Sequence, residues 1–174
     1  MHIAGAIYHA TGRGVDARAI YTDDRDREMF LSILDRVRAQ AQAEVLAYCL
    51  MGNHFHIVIK VAQIPLSVIM QRVLTAYSKI FNRRNGREGH LFQGRYWANM
   101  CLGDAYLIAM IRYVHQNPVR AKLVANPSDW RWSSLHAHLD PTTGDGLTHT
   151  EAVLQRYPDF AAMIAAAEDD TLSD

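Results

Sequence analysis

The sequence has few cysteines, no long apolar run and no net charge. Only Cys49 and Cys101 occur among the 174 residues, and both have apolar neighbours. Two distant cysteines exclude a CxxC zinc site, and they favour buried thiols in a reducing cytoplasm. No apolar run reaches the roughly 20 residues of a membrane-spanning helix. The N-terminal residues also lack the basic and apolar parts of a signal peptide.

The net charge of zero hides an uneven distribution of charge along the chain. Residues 1–59 carry six basic and seven acidic side chains, residues 60–122 carry ten and two, and residues 123–174 carry two and nine. A basic centre of this kind is typical of a surface that binds a polyanion, although a chance grouping of solvated charges gives the same pattern. The hydrophobic content of 49% is that of an ordinary globular protein.

Apolar periodicity predicts an α+β fold for this chain. Strands are expected over residues 2–10, 45–50, 54–61 and 96–102, and helices over residues 24–42, 65–82 and 104–117. The β-α-β-β-α-β order is the ferredoxin-like arrangement, with helices on one face of the sheet and a further C-terminal helix.

Residues that commonly interrupt secondary structure, such as glycine and proline, set the expected boundaries of these elements. Residues 11–14 should end the first strand in a loop, and Pro118 should end the third helix. We divide the chain into a domain of residues 1–139 and an acidic C-terminal accessory segment of residues 140–174. This segment should hold a helical stretch from residue 148 to 167, broken at Pro158. It could shield the basic surface, mediate assembly or pack on the domain.

Two histidines lie on the second of two neighbouring predicted strands. His54 and His56 are two residues apart, so a strand directs both to one face and turns Phe55 to the other, towards the core. Two imidazoles side by side on a rigid strand form half of a metal site. The same pattern is also typical of ordinary polar residues on a solvated sheet face.

The third predicted helix adds residues with a chemistry that a metal would assist. Tyr113 and Asn117 are four residues apart and share a helix face. Tyr106 lies on nearly the same face, about 10 Å earlier along the axis. Beside a metal held by the histidines, Tyr113 could attack phosphorus as a nucleophile. The alternative is that Tyr113 is a half-buried core residue, as most tyrosines on amphipathic helices are. His115 should point elsewhere, to the surface or to a phosphate.

Basic and aromatic residues are interleaved between residues 79 and 97. The basic members are Lys79, Arg83, Arg84, Arg87 and Arg95. Basic groups contact phosphates and aromatic faces stack on unpaired bases, so this cluster is the predicted DNA-binding surface. Arg83 and Arg84 are expected to contact DNA, while Phe81 and Trp97 are expected in the core.

Five motifs follow one another in a fixed order along the chain. They are YHATGRG, AYCLMGNHFHIVIK, LFQGRYW, YVHQNPVRAKLV and DWRWSSL. Together they resemble the single-tyrosine HUH transposases, in which HUH denotes His-hydrophobe-His, and most of all the REP-associated tyrosine transposases. The resemblance covers about residues 6–139.

The resemblance implies an enzyme that cuts and rejoins single-stranded DNA near hairpins and uses Mg²⁺ or Mn²⁺. By position it makes His54, His56 and Asn117 the metal ligands. It makes Tyr113 the nucleophile, which would form a 5′-phosphotyrosine and leave a free 3′-hydroxyl.

Two other functions stay open at this point. One is a DNA-hairpin-binding protein that has kept the fold and lost cleavage. The other is a metal hydrolase that uses His54 and His56 without a covalent tyrosine. The intact set of histidines, Tyr113 and Asn117 favours the transposase over the binding protein, and a covalent adduct would distinguish it from the hydrolase. The sequence leaves monomer and homodimer open.

Overall fold

The computed structural model describes residues 3–165, and a four-stranded sheet lies between two layers of helices. The strands are β1 (Ile7–Arg13), β2 (Glu44–Leu50), β3 (His54–Lys60) and β4 (Trp97–Met100). The long helices are α1 (Asp24–Gln40), α2 (Leu66–Arg84) and α3 (Asp104–Arg120). Three short helices follow, α4 (Leu135–Leu139), α5 (Thr150–Leu154) and α6 (Phe160–Ala165).

The strand order is β2-β3-β1-β4, and every neighbouring pair is antiparallel. This is the ferredoxin-like order, so the predicted fold class is confirmed. Helix α1 begins where the side chain of Asp23 accepts a hydrogen bond of 3.1 Å from the Asp26 N–H, and aspartate is a favoured residue at this N-cap position.

The sheet is buried on both faces, by two separate sets of apolar residues. One set joins α1 and α2 to the face of β3 that carries Phe55, Ile57 and Ile59. The other joins α3 and the C-terminal helices to the opposite face, which includes Val58. The alternation of β3 therefore directs His54 and His56 towards α3.

Strand β1 differs from its prediction at both ends. It begins at Ile7, and the predicted start at residue 2 lies outside the described residues. It continues through residues 11–13, which were wrongly expected to form a loop. Gly12 pairs with Phe55, and a Cβ at this position would lie 2.5 Å from the Phe55 ring. The glycine thus permits a close approach within a strand and does not end it.

Helix α3 also extends beyond its prediction. Pro118 lies inside the helix, which ends at Arg120. A proline removes one N–H donor, but the following turn is closed by the Ala121 N–H, which donates to the Asn117 carbonyl at 2.9 Å. The expectation that Pro118 ends the helix is therefore wrong.

The segment after residue 139 packs on the domain. Helices α5 and α6 lie on either side of Pro158, the position at which the helical stretch was predicted to be broken. The last two residues of that predicted stretch, 166 and 167, lie outside the described part of the chain. Leu147, Val153 and Phe160 are buried against the rest of the protein. Packing was one of the three roles considered for this segment.

The two cysteines are free thiols. Cys49 is buried, as expected, and Cys101 is only partly buried. Among residues 3–165, no helix combines the length and the apolar character that crossing a membrane requires.

The close approach of Gly12 to Phe55 gives a testable prediction. Gly12→Ala should lower the free energy of unfolding by about 1–3 kcal/mol, because the buried Phe55 ring would have to move. Gly52→Ala is the matched control, since no atom lies within 4 Å of a Cβ built there. Urea denaturation followed by circular dichroism measures both changes, and equal stability of the two variants would contradict the prediction.

Candidate active site

A cleft of about 850 Å³ lies between the sheet and α3. Its floor is formed by residues of three strands and its wall by α3. The main lining residues are His9, Thr11, Arg13, His54, His56, Trp97 and Asn99 from the strands, and Tyr106, Tyr113, Asn117 and Arg120 from α3. The strand register places His56, Thr11 and Trp97 in one row across the sheet, and residues paired in this way share a face.

The two predicted histidines lie together in this cleft. The ring centroids of His54 and His56 are 5.0 Å apart and the rings are nearly perpendicular. Phe55 is completely buried on the opposite face, as expected. Burial lowers the pKa of His56 well below its usual value, His9 and His54 lower it further, and Asn117 opposes the shift. His56 is therefore neutral at pH 7, the form that binds metal ions.

Hydrogen bonds at Nδ1 orient both imidazoles. His54 Nδ1 lies 2.7 Å from Asn53 Oδ1, and His56 Nδ1 lies 3.0 Å from His9 Nε2. The rings of His9 and His56 are nearly parallel, with centroids 5.2 Å apart. Burial lowers the pKa of His9 to about 4. The other nitrogen of His56, Nε2, is buried and has no hydrogen-bond partner within residues 3–165.

Tyr113 faces the histidines from α3. Its ring centroid is 5.6 Å from that of His56 and 6.0 Å from that of His9. The guanidinium carbon of Arg120 lies 5.2 Å from the centre of the same tyrosine ring. Tyr106 also lines the cleft, but the tyrosine ring in contact with these histidines, in the described part of the chain, is that of Tyr113.

Asn117 lies one helical turn after Tyr113, and a hydrogen bond fixes its amide. Asn117 Nδ2 donates to the Tyr113 carbonyl at 3.1 Å, so Oδ1 is the amide atom left for the cleft. Asn117 and His56 line the same cleft, and Asn117 opposes the lowering of the His56 pKa by burial. The residues predicted as ligands, His54, His56 and Asn117, thus line one cleft.

These three side chains fit a divalent metal ion. Within residues 3–165, no three His, Cys, Asp or Glu side chains form a group that could hold one, so a third protein donor would be an amide such as that of Asn117. The buried Nε2 of neutral His56 is a nitrogen that a cation would satisfy. Imidazoles suit transition metals and an amide oxygen suits harder ions such as Mn²⁺ and Mg²⁺. The identity of the ion stays a prediction.

Sequence reasoning missed several cleft residues, including Arg120, His9 and Arg13. Arg120 is seven residues after Tyr113 and shares its face once α3 continues past Pro118. His9 and Arg13 enter the cleft because β1 includes residues 11–13 and pairs with β3. The spacing of His9, Thr11 and Arg13 at every second position was the available signal, since it is the period of a strand.

Two aromatic predictions had opposite outcomes. Phe81 is completely buried, as expected. Trp97 was expected in the core, but it lies on the edge strand β4 and is 73% exposed. A large exposed aromatic ring at the rim of a cleft is typical of a binding surface.

His115 is completely buried, so the expectation of a surface or phosphate-contacting residue is wrong. Its Nε2 lies 2.9 Å from Ser134 Oγ, and its ring contacts those of His138 and Phe160. Helices α4 and α6 cover this side of α3, which sequence spacing alone does not reveal. Burial lowers the pKa of His115.

Most of the predicted DNA-binding cluster lies away from the cleft. Lys79, Arg83 and Arg84 are on α2, which packs on the sheet face opposite to the histidines. Arg87 follows α2, and Arg95 comes shortly before β4. Contact of these residues with DNA stays a prediction.

Arg84 has a structural role, whereas Arg83 forms no ion pair within residues 3–165. The Arg84 guanidinium forms ion pairs with Asp23 and Asp26 at the start of α1. Asp26 is completely buried and also accepts hydrogen bonds from the Thr22 backbone and hydroxyl. The Arg84 side chain therefore joins α2 to α1, and its charge is largely engaged within the protein.

Two alternating histidines on a strand of a ferredoxin-like sheet, facing a tyrosine on a helix, agree with the arrangement that the resemblance to tyrosine transposases implied. The chain belongs to the IS200-like transposase family, whose model matches residues 3–117. That span includes His54, His56, Tyr113 and Asn117, so the resemblance drawn from the motifs is confirmed.

Individual relatives agree with this assignment. The chain is 26% identical over 146 residues to a Haemophilus influenzae protein named as a REP-associated tyrosine transposase, covering 76% of this chain and 81% of that protein. The solved structure of a REP-associated tyrosine transposase bound to a REP hairpin matches with a TM-score of 0.69, at 19% identity and over 86% of each chain. At that identity the structural match shows the shared fold.

The contrast between Arg83 and Arg84 gives a second prediction. Arg84→Gln should lower the melting temperature, because the buried Asp26 would lose its cation. Arg83→Gln, a change at the exposed neighbouring residue, should leave the melting temperature unchanged. It should weaken binding of single-stranded DNA and reduce the slope of log K against log salt by about one.

Differential scanning fluorimetry and fluorescence anisotropy at several salt concentrations measure these effects. Equal melting temperatures for the two variants would contradict the structural role of Arg84. An unchanged salt slope for Arg83→Gln would remove Arg83 from the DNA-binding surface.

Proposed function

We propose that this protein is a metal-dependent transposase-type nuclease that cuts and rejoins single-stranded DNA beside hairpins through a covalent phosphotyrosine. The observation that carries the proposal is the Tyr113 ring, which lies 5.6 Å from the ring of His56 in an open cleft. Family membership supports DNA as the substrate, and the hairpin bound by the similar solved structure supports hairpin DNA. The protein would act in the cytoplasm.

In the proposed reaction, Tyr113 Oη gives up its proton to solvent and attacks the phosphorus of a phosphodiester. The bond between Oη and phosphorus forms as the bond from phosphorus to the 3′-oxygen breaks, and the leaving oxygen takes a proton to become a free 3′-hydroxyl. The product is a 5′-phosphotyrosine. Attack by a 3′-hydroxyl on this intermediate reverses the exchange, restoring the DNA phosphodiester and the tyrosine.

The side chains around Tyr113 support this chemistry. A free phenol has a pKa of about 10 and attacks poorly at neutral pH, so its developing negative charge must be stabilised. The Arg120 guanidinium carbon lies 5.2 Å from the Tyr113 ring centre and favours that charge. His54, His56 and Asn117 would hold Mg²⁺ or Mn²⁺, which when bound polarises a phosphoryl oxygen.

Other cleft residues suit an unpaired DNA strand. Trp97 presents an exposed ring in the same row of the sheet as His56, and base stacking on such a ring tolerates any sequence. Arg13, beside His54 on the neighbouring strand, can contact a phosphate. The DNA strand would thus be held close to Tyr113 by base stacking on Trp97 and by the charge of Arg13.

The central test replaces each tyrosine of the cleft in turn. Tyr113→Phe should abolish cleavage of hairpin-bearing oligonucleotides in Mn²⁺, together with the protein–DNA adduct seen on a denaturing gel. DNA binding should persist, because only a hydroxyl is removed. Tyr106→Phe is the matched control and should retain cleavage, and chelation with EDTA should stop cleavage by the wild type.

Each other result contradicts part of the proposal. An adduct that is lost only in Tyr106→Phe would move the nucleophile to Tyr106. Cleavage that survives both changes would favour a water nucleophile and the metal hydrolase. Hairpin binding by the wild type with no cleavage in Mn²⁺ or Mg²⁺ would favour the DNA-binding protein.

The exposed tryptophan gives a separate prediction about DNA binding. Trp97→Ala should weaken binding of single-stranded DNA by about 1–3 kcal/mol, the usual value of one stacked base. Leu102→Ala is the matched control, since Leu102 is 76% exposed just after β4 but does not line the cleft. Fluorescence anisotropy measures both affinities, and equal affinities would exclude Trp97 as a stacking surface.

A further inference from the structure

Asn53 controls the position of the proton on His54. Asn53 Nδ2 donates to the Ala17 carbonyl at 3.1 Å, so the amide atom that lies 2.7 Å from His54 Nδ1 is the oxygen Oδ1. An amide oxygen can only accept a hydrogen bond. His54 must therefore carry a proton on Nδ1, so that in the neutral ring Nε2 is the nitrogen with the lone pair.

His9 stands in the same relation to His56. Its Nε2 lies 3.0 Å from His56 Nδ1, and both imidazoles are more than nine-tenths buried. Two neutral imidazoles at this distance share one proton, so one ring donates and the other accepts. The identity of the donor decides whether Nε2 of His56 carries a proton or a lone pair.

The surroundings of Nε2 favour His56 as the donor. If His9 donated, the proton of His56 would lie on buried Nε2, which forms no hydrogen bond of normal geometry within residues 3–165, although the Asn117 side chain acts on this ring. A buried N–H without a well-formed hydrogen bond is costly, it would compete for the Asn117 oxygen, and a cation would repel it. If His56 donates, Nε2 is a lone pair that a cation can satisfy.

We propose that Asn53 and His9 are positioning residues that hold His54 and His56 as Nδ1–H tautomers, so that both imidazoles offer Nε2 to one cation. The function of these tautomers depends on the proposed metal site, but the tautomers themselves can be measured without metal. The arrangement resembles the outer hydrogen bonds that orient metal-binding histidines in general.

The first measurement uses two-bond ¹H–¹⁵N correlation spectra of the metal-free protein at neutral pH. In the wild type, His54 and His56 should both show the Nδ1–H pattern. His9→Leu should remove that pattern from His56 and leave His54 unchanged, and Asn53→Ala should do the reverse. Assignment of either histidine to the Nε2–H tautomer in the wild type would overturn the inference for that residue.

The second measurement is Mn²⁺ affinity, from the electron paramagnetic resonance signal of free Mn²⁺. His9→Leu should weaken Mn²⁺ binding about 10–100-fold. His9→Gln should restore most of this loss, because the Gln carbonyl oxygen can accept a hydrogen bond near the position of the imidazole Nε2. Restoration by Gln would show that the acceptor matters, and not only the filling of space.

His138→Leu is the control for the loss of a buried imidazole. His138 Nδ1 lies 2.9 Å from the Ser134 carbonyl oxygen, and His138 does not line the cleft. His138→Leu should therefore lower stability but leave the tautomers of His54 and His56 and the Mn²⁺ affinity unchanged. An equal loss of affinity in His138→Leu and His9→Leu would reduce the role of His9 to stability and overturn the inference.

The two proposals fail in different ways. Nδ1–H tautomers in a wild type that binds no Mn²⁺ would support the positioning role and contradict the proposed metal site. Tight Mn²⁺ binding that is unaffected by His9→Leu would contradict the role of His9 and leave the proposed function standing.

Discussion

The alternation of side chains along β3 is the constraint on which both the core and the candidate active site depend. Strand β3 lies between β1 and β2 in the sheet. Phe55 and Ile57 face α1 and α2, while His54, His56 and Val58 face α3. A slip of one residue would exchange these faces. Burial of a side chain such as Phe55 is worth about 1.5–3 kcal/mol, so the apolar face fixes the register that presents the histidines.

Helix α3 must in turn keep a fixed position above these histidines, and the C-terminal part of the chain provides this support. His115 Nε2 lies 2.9 Å from Ser134 Oγ, and the same oxygen accepts a hydrogen bond of 2.9 Å from the Tyr48 N–H of β2. Gln116 Nε2 donates to the Ile164 carbonyl at 2.9 Å. These contacts join α3 to the sheet and to α6 on the side away from the cleft. The residues after 130 thereby stabilise the helix that carries the proposed nucleophile.

The parts of the site that could be predicted rest on local periodicity. A spacing of two on a strand gave His54 and His56, and a spacing of four on a helix gave Tyr113 and Asn117. Spacing alone could place His9 on the same face of β1 as Arg13, but its contact with His56 depends on the pairing of strands far apart in sequence. The two errors in element boundaries came from glycine and proline, which usually break elements but here lie inside β1 and α3. Ending α3 early concealed Arg120, whose position beside Tyr113 requires three more residues of helix.

The folded chain also redistributes the charge that the sequence shows. Arg84 is engaged by acidic residues of α1, whereas Arg13 and Arg120, missed in the sequence, lie in the cleft. The remaining α2 cations and the cleft are therefore on opposite faces of the sheet. The β2 edge of the sheet is covered by later parts of the chain. The Leu50 N–H donates to the Trp132 carbonyl, and the His149 N–H donates to the Val45 carbonyl. Of the two side edges of the sheet, the β4 edge carries the exposed Trp97 ring, so a DNA strand that rounds this edge would meet an aromatic surface between the two sets of cations.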